Sequence, residues 1–243
     1  HGQQDSKTRW PRSLGTRHLL AEHLQSFRRQ TVAAVSPHEY AVASSLVGRP
    51  RAHYLPNVSR AERTQIVLPD KTNQAIPRIV SVGRITEQKG PSFLAECART
   101  LGSKYSWTWV GDGDEKLRSE LEDAGVFVTG WITNEQVWKE ISESDLFIHT
   151  ALWEGAPITL VDSVQLGTPV IARTSPQLDG LGYYQGGISP TELSESINRY
   201  FTSMKFREKV FSMSHQTAAI RTAEAQNVAI RQLYTSQKGI DRK

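Results

Sequence analysis

From residue 78 onward the apolar positions alternate between short continuous runs and stripes at helical spacing. RIVSV (78–82), WTWV (107–110), VFVT (126–129), LFIHT (146–150) and VIA (170–172) are runs of strand length, rich in β-branched and aromatic residues. Between them Phe93, Leu94, Cys97, Ala98 and Leu101 form one stripe, Leu117, Leu121 and Ala124 a second, and Val137, Trp138 and Ile141 a third. Strands that alternate with helices in this way predict a parallel sheet with helices packed on it, an α/β architecture. Thr133 with Gln136, and Ser189-Pro190 with Glu192, have the spacing of capping boxes and mark two helix starts.

The front of the chain is less regular. Leu19, Leu20, His23, Leu24 and Phe27 repeat at helical spacing, and TVAAVS (31–36) reads as a short buried strand. Ser36-Pro37-His38-Glu39 supplies an N-cap, a proline at the first helical position and a glutamate three after the cap, so a helix begins there and stops near Gly48. His53-Tyr54-Leu55 is a second strand, and the polar, aperiodic stretch 60–75 reads as a linker. After Gly187 the chain is helical, with Leu193, Ile197, Tyr200, Phe201 and Met204 on one side, and a separate polar helix runs from about Ala223 to Lys238.

Candidate chemistry gathers where strands end, which is where an open parallel sheet holds its ligand. The densest stretch is IHTALWEGAPITLVDSVQLGTPVIA (148–172): strand, a loop with Glu154-Gly155, a helix opened by Pro157 and ending at Gly167, then strand again. Glu154 and Asp162 stand eight apart, about two helical turns, so both can border one crevice. An acid between Trp153 and Gly155 calls for a charged partner or a hydroxyl-rich ligand. Asp162 interrupts an apolar helix; a ribose diol, a neighbouring arginine or a backbone N–H would each satisfy it.

Three other strand ends carry candidates. Gly83-Arg84 follows RIVSV, and Gln88-Lys89-Gly90 precedes a helix opened by Pro91. Two cations five apart on a loop entering a helix N-terminus suit a diphosphate, and a pair of solvated surface charges is the plain alternative. Gly111-Asp112-Gly113 follows WTWV and lets backbone approach a ligand, although a tight turn with Asp114 as N-cap explains it equally well. Gly130-Trp131-Ile132 could offer backbone hydrogen bonds to a base, with packing the default role for Trp131.

Composition narrows these options. With 38% hydrophobic residues the 243-residue chain can bury a proper core. No run approaches the roughly 18 apolar residues of a membrane-spanning helix, and HGQQDSKTRW at the front lacks a signal-like apolar stretch. The single Cys97 excludes an internal disulfide and a CxxC metal site, as expected of a cytoplasmic protein. The net charge of +4 is uneven: residues 1–63 hold 10 Lys/Arg against 4 Asp/Glu, the rest 19 against 21. A basic front suits either a solvated face or an anionic membrane surface; no motif supports nucleic-acid binding.

Taken together, VSVGRITEQKG, WVGDGDEKLRSEL, VFVTGWITNEQVWKEISESDLFIHTALWEGAP and GTPVIA resemble, in order and spacing, the retaining GT-B glycosyltransferases of family 4, and AVSPHEY with HYLPNV resembles the close of that family's N-terminal domain. The resemblance implies a GT-B fold: residues 1–75 are the tail of an acceptor-side domain with its linker, 76–222 a Rossmann-like donor domain, and 223–243 a helix returning toward the first. It implies a nucleotide-diphosphate sugar as donor substrate, no separate cofactor or metal, and a glycan or lipid-linked acceptor. Arg84 and Lys89 would bind the diphosphate, and Glu154 would face the sugar. Gly83, Gly111, Gly113 and Trp131 would border the nucleotide, Gly155, Ala156, Pro157 and Ile158 would meet sugar or phosphate, and Asp162 would take the ribose. The family's second acid is usually Glu, one methylene longer. His1, before Gly2, would correspond to a sugar-facing histidine of the N-terminal domain, so that the chain begins inside that domain; a tag remnant is the other reading. The segment after GTPVIA, RTSPQLDGLGYYQGG, is shorter than the family's. Two further readings share the same sheet: a GT-B-shaped nucleotide-sugar epimerase, and a nucleotide-sugar-binding module without transfer.

Overall fold

The computed structural model describes residues 31–48, 51–61 and 76–240, without the side chains of 236–240. The predicted helix at 19–29, His1 and most of the 60–75 linker lie outside the described residues.

A small unit comes first. Strand β1 (Val32–Ala34), helix α1 (Pro37–Val47) and strand β2 (Ala52–Tyr54) form a parallel pair joined by a crossover helix. The predicted start of α1 is present: Ser36 Oγ accepts from the Glu39 N–H at 3.1 Å, and Gly48 closes the helix with φ of 81°. The Glu39 carboxylate reaches back to the N–H of Val35 at 3.0 Å, one residue beyond an ordinary capping box.

The main sheet has six parallel strands in the order β5-β4-β3-β6-β7-β8: β3 (Arg78–Val82), β4 (Ser106–Val110), β5 (Val126–Val128), β6 (Leu146–His149), β7 (Val170–Arg173) and β8 (Tyr184–Gly187). From β3 the chain winds outward through β4 and β5, returns, and lays β6 against the other side of β3, with Ile79 opposite Leu146. The winding direction therefore reverses between β3 and β6, and the crevice at a parallel sheet's switch point lies beyond the carboxyl ends of those two strands.

Helices cover both faces because each connection is right-sized to cross over and each carries one apolar stripe. One core joins α2 (Pro91–Leu101), α3 (Glu115–Asp123) and α6 (Pro190–Thr202) to Ile79, Trp107, Trp109 and Ile148 of the sheet. The other joins α4 (Asn134–Ser142), α5 (Ile158–Gln165) and the end of α7 (Met204–Ile220) to Val80, Phe147 and Val170. Cys97 is buried in the first core, as its stripe predicted. Both predicted capping boxes are formed, at Thr133 and at Ser189. A final helix, α8 (Ala223–Ile240), turns toward the first unit, where Gln226 Nε2 donates to the Pro56 carbonyl at 2.9 Å.

Two features differ from the expected elements. Strand β8, Tyr-Gln-Gly-Gly, has no apolar alternation and is recruited by pairing with β7, Ile171 opposite Tyr184. The helix after Gly187 breaks at Ser203, whose N–H still donates to the Arg199 carbonyl while its Oγ accepts from Phe206 N–H to start α7. Met204, placed by periodicity on the buried stripe, is consequently exposed. Among the described residues no helix is long and apolar enough to cross a membrane.

Candidate functional site

Two loops meet at the switch point. After β3, Gly83-Arg84 leads through a short turn (Glu87–Lys89) to α2; after β6, residues 150–157 lead to α5. Lys89 Nζ lies 2.5 Å from Glu154 Oε1, so the cation of one loop is bonded to the acid of the other. Backbone reinforces the junction: Thr150 Oγ1 donates to the Lys89 carbonyl at 2.8 Å, and Leu152 N–H donates to the Gln88 carbonyl at 2.8 Å. Gly90 is required there, because its φ is 69° and a side chain would run into the Thr150 carbonyl. Gly83 has a different reason: the aliphatic stem of Lys89 crosses it, with Cδ 3.3 Å from where a Cβ would stand.

Sequence reasoning overlooked His149, the last residue of β6. It is 5% exposed, and its Nε2 lies 3.7 Å from Glu154 Oε2, an oxygen that is itself buried without a hydrogen bond. Burial, and then the nearby Lys89 cation, push the imidazole down to about 3, so it is neutral beside the Lys89–Glu154 pair. A histidine ending a strand in LFIHT looks like core by pattern, and only the fold shows what it faces.

Arg84 is exposed and makes no hydrogen bond or ion pair among the described residues, which leaves its guanidinium available to an anion. Neither α2 nor α5 has a side-chain cap at its N-terminus, where Gly90 and Pro157 stand. Among the described residues no side chain therefore caps the first backbone donors of either helix.

The glycine turns line the adjoining edge. Trp109 is buried and donates from Nε1 to the Gly83 carbonyl at 2.9 Å. A side chain at Gly111 would strike the Gly83 carbonyl and one at Gly113 the Ile85 carbonyl, so both glycines serve close backbone packing between the β3 and β4 loops. Asp114 does cap α3, accepting from Leu117 N–H at 3.0 Å. Gly130 bridges to Gly111, and Trp131 beside it is 69% exposed, so its ring is not used for packing.

The first unit closes over the α5 side. Ser59 Oγ donates to Asp162 Oδ1 at 2.5 Å and Asn57 Nδ2 donates to the Ala156 carbonyl at 2.8 Å. The Glu39 carboxylate abuts Gly155, where a side chain would collide with it. Asp162 therefore has partners, the Ser59 hydroxyl and Trp138, of a kind that sequence did not suggest. Burial raises its carboxyl above the ordinary range, against the opposing pull of those two hydrogen bonds. Pro157 is buried and Ile158 exposed at the entrance of α5. Among the described residues no group of His, Cys, Asp and Glu has a metal-holding arrangement.

Comparison with known proteins gives a consistent picture. The model of the family described as Glycosyl transferases group 1 matches residues 76–199. The amylovoran biosynthesis glycosyltransferase AmsK of Erwinia amylovora is 30% identical over 127 residues, which cover 46% of this chain and 31% of AmsK. Among solved structures, sucrose-phosphate synthase of Thermosynechococcus elongatus superposes with a TM-score of 0.74 at 17% identity, over 93% of this chain and 62% of that one. Anabaena HepE, in complex with UDP and glucose, superposes with a TM-score of 0.65 at 15% identity, over 94% of this chain and 69% of that one. These likenesses establish the GT-B arrangement of the sheet. The chain spans less than half the length of the curated relatives it matches.

Proposed function

The chain belongs to the glycosyl transferases group 1 family, and from that premise we propose that it is the donor-binding part of a glycosyltransferase of polysaccharide biosynthesis, gripping a nucleotide-diphosphate sugar at the β3–β6 switch point. The observation that carries this reading is the Lys89–Glu154 bond across the crevice. It brings a cation suited to a diphosphate and an acid suited to sugar hydroxyls to one place, beside two uncapped helix N-termini.

The diphosphate lies along the start of α2, paired with Arg84 and drawing Lys89 partly away from Glu154. Glu154, relieved of part of its ion pair, accepts hydroxyls of the sugar. The base sits by Gly111 and Gly130, with the exposed Trp131 ring beside it, and the ribose reaches Asp162 as Ser59 gives way. HepE binds UDP by its description, which supports a nucleotide ligand for the fold and leaves the base here to be determined.

Transfer proceeds with retention by front-face attack of an acceptor hydroxyl on the anomeric carbon. The C–O bond to the diphosphate breaks as the new glycosidic bond forms on the same face, and the departing phosphate takes the acceptor's proton. Arg84 and Lys89 stabilise the charge that develops on that phosphate, an effect worth on the order of 3 kcal/mol per donor. The acceptor is a glycan or a lipid-linked sugar, and residues 31–61 close the N-terminal, acceptor-side domain. The epimerase and binding-only alternatives gain no specific support from the site.

Titration with UDP-, GDP- and ADP-sugars tests the reading. Arg84→Ala weakens every nucleotide sugar that binds by a similar factor; loss of one sugar alone contradicts a diphosphate role for Arg84.

A further inference from the structure

A second cavity lies away from this crevice, in the seam between β2 and the corner where α7 meets α8. Its volume is about 500 Å³, within the range of small-ligand pockets. Ala52 and Pro56 line one side, Ile220, Ala225 and Val228 another, and Arg221, His53 and the tyrosines Tyr40 and Tyr54 also line it.

Arg221 is only 4% exposed. Among the described residues its guanidinium reaches a single acceptor, the Leu181 carbonyl, 3.5 Å from Nη2 and at the limit of hydrogen bonding, and lies 6.0 Å from the centroid of the Tyr183 ring. It makes no ion pair with any carboxylate among the described residues. Nε of Arg221, Nε2 of His53 and the hydroxyl of Tyr183 are all buried without a hydrogen-bond partner. Burial holds the Tyr183 phenol above its ordinary range, so the hydroxyl remains protonated and able to donate.

A guanidinium always carries its charge, and enclosing that charge without a counter-ion is strongly unfavourable. Packing does not explain it, since methionine or leucine would fill the same space. Unpartnered nitrogens of Arg221 and His53 at a cavity with mostly apolar walls describe instead a site lacking its acceptor. We infer that this cavity binds an amphipathic anion, with a carboxylate or phosphate-monoester head against Arg221 and a short apolar body between β2 and α8. The fork of the guanidinium matches either head by two parallel N–H···O bonds. Neither candidate donor-site loop contributes to these walls, so the site is separate from the nucleotide-sugar crevice.

Calorimetric titration of the whole chain with hexyl phosphate, hexanoate, inorganic phosphate and hexanol tests the inference. Arg221→Met removes the charge at similar volume and is expected to fold with an unchanged or higher unfolding midpoint. Ala229→Phe fills the cavity from α8 and leaves Arg221 in place. At least one of hexyl phosphate and hexanoate binds with one site per chain, about tenfold or more tighter than hexanol and inorganic phosphate, and loses about tenfold or more in both variants. The tighter of the two identifies the head group. Failure of both anions to bind at millimolar concentration, equal binding by both variants, or equal binding of hexanol or of inorganic phosphate overturns it. Affinity for whichever of UDP, GDP and ADP binds the donor crevice is unchanged in Arg221→Met, which separates this result from any failure at that crevice.

Discussion

Lys89 and Glu154 are 65 positions apart in sequence and 2.5 Å apart in space, and their bond ties the loop after β3 to the loop after β6 where the sheet reverses its winding. Both side chains are about four-fifths buried, with exposures of 21% and 22%. Removing one partner leaves the other charge partly enclosed, so Lys89→Met and Glu154→Gln are each predicted to destabilise the fold by about 1–3 kcal/mol. The double variant should lose less than the sum of the two, because the charge stranded by either single change is then absent. Urea unfolding of all four proteins checks this.

His149 gives the fold an acid sensitivity with a definite sign. The folded imidazole titrates at about 3, against an ordinary value of 6.5, because burial and then Lys89 disfavour its charge, while Glu154 on the other side pulls the opposite way without prevailing. Between those values the unfolded chain binds a proton that the folded chain does not. Stability is therefore full above pH 6.5 and falls as pH drops toward 3, by up to about 1.4 kcal/mol per unit. From pH 7 to pH 5 the wild-type protein should lose about 1–2 kcal/mol more than His149→Gln, measured as the difference in urea unfolding free energy.

Glycine at position 90 is needed for two reasons that can be separated. Gly90 and Gly125 both have positive φ, 69° and 81°, but Gly90 also meets a backbone atom, the Thr150 carbonyl, whereas Gly125 faces open space. Gly125→Ala should cost about 1 kcal/mol from the dihedral alone. Gly90→Ala should cost about 1–3 kcal/mol more, from the forced separation of the two loops. Thermal unfolding of the pair measures the difference, and only Gly90→Ala should also weaken UDP.

Much of this site could be read from residue order. The strand ends holding Arg84, Lys89 and Glu154 were legible because runs such as RIVSV and LFIHT announce parallel strands, and parallel strands dictate where their loops emerge. The capping boxes at Thr133 and Ser189 were legible for the same local reason. What pattern could not convey was contact across long separations: the Ser59–Asp162 bond spans 103 positions and the Asn57–Ala156 bond 99. His149 was hidden because a buried strand residue has the same periodicity whether it meets carbon or a carboxylate. Strand β8 was hidden because Gly186 and Gly187 carry no side chain to alternate, and its place is set by β7.

Asp162 is predicted to recognise ribose at some cost to stability. Its carboxyl is raised by burial, so the folded chain holds that proton more tightly than the unfolded chain does, and its contribution declines as pH rises from about 4 toward neutrality. Asp162→Asn keeps an acceptor for Ser59 and Trp138 without the charge, so its stability relative to wild type should improve over that interval. Asp162→Ala should lose about tenfold in preference for UDP over 2′-deoxy-UDP, the value of one hydrogen bond to a charged group. Paired titrations of the two nucleotides in each protein supply the ratio.

Every role assigned to Arg84, Lys89 and Glu154 requires that the crevice between β3 and β6 hold a diphosphate. Calorimetric titration with UDP, GDP and ADP alongside uridine, guanosine and adenosine measures this directly, in the wild-type chain and in Lys89→Met. At least one diphosphate should bind about a hundredfold or more tighter than its nucleoside, and that advantage should shrink about tenfold or more in the variant, as expected for charge-assisted contacts. Nucleosides that bind as well as their diphosphates, or an advantage undiminished in Lys89→Met, would contradict it.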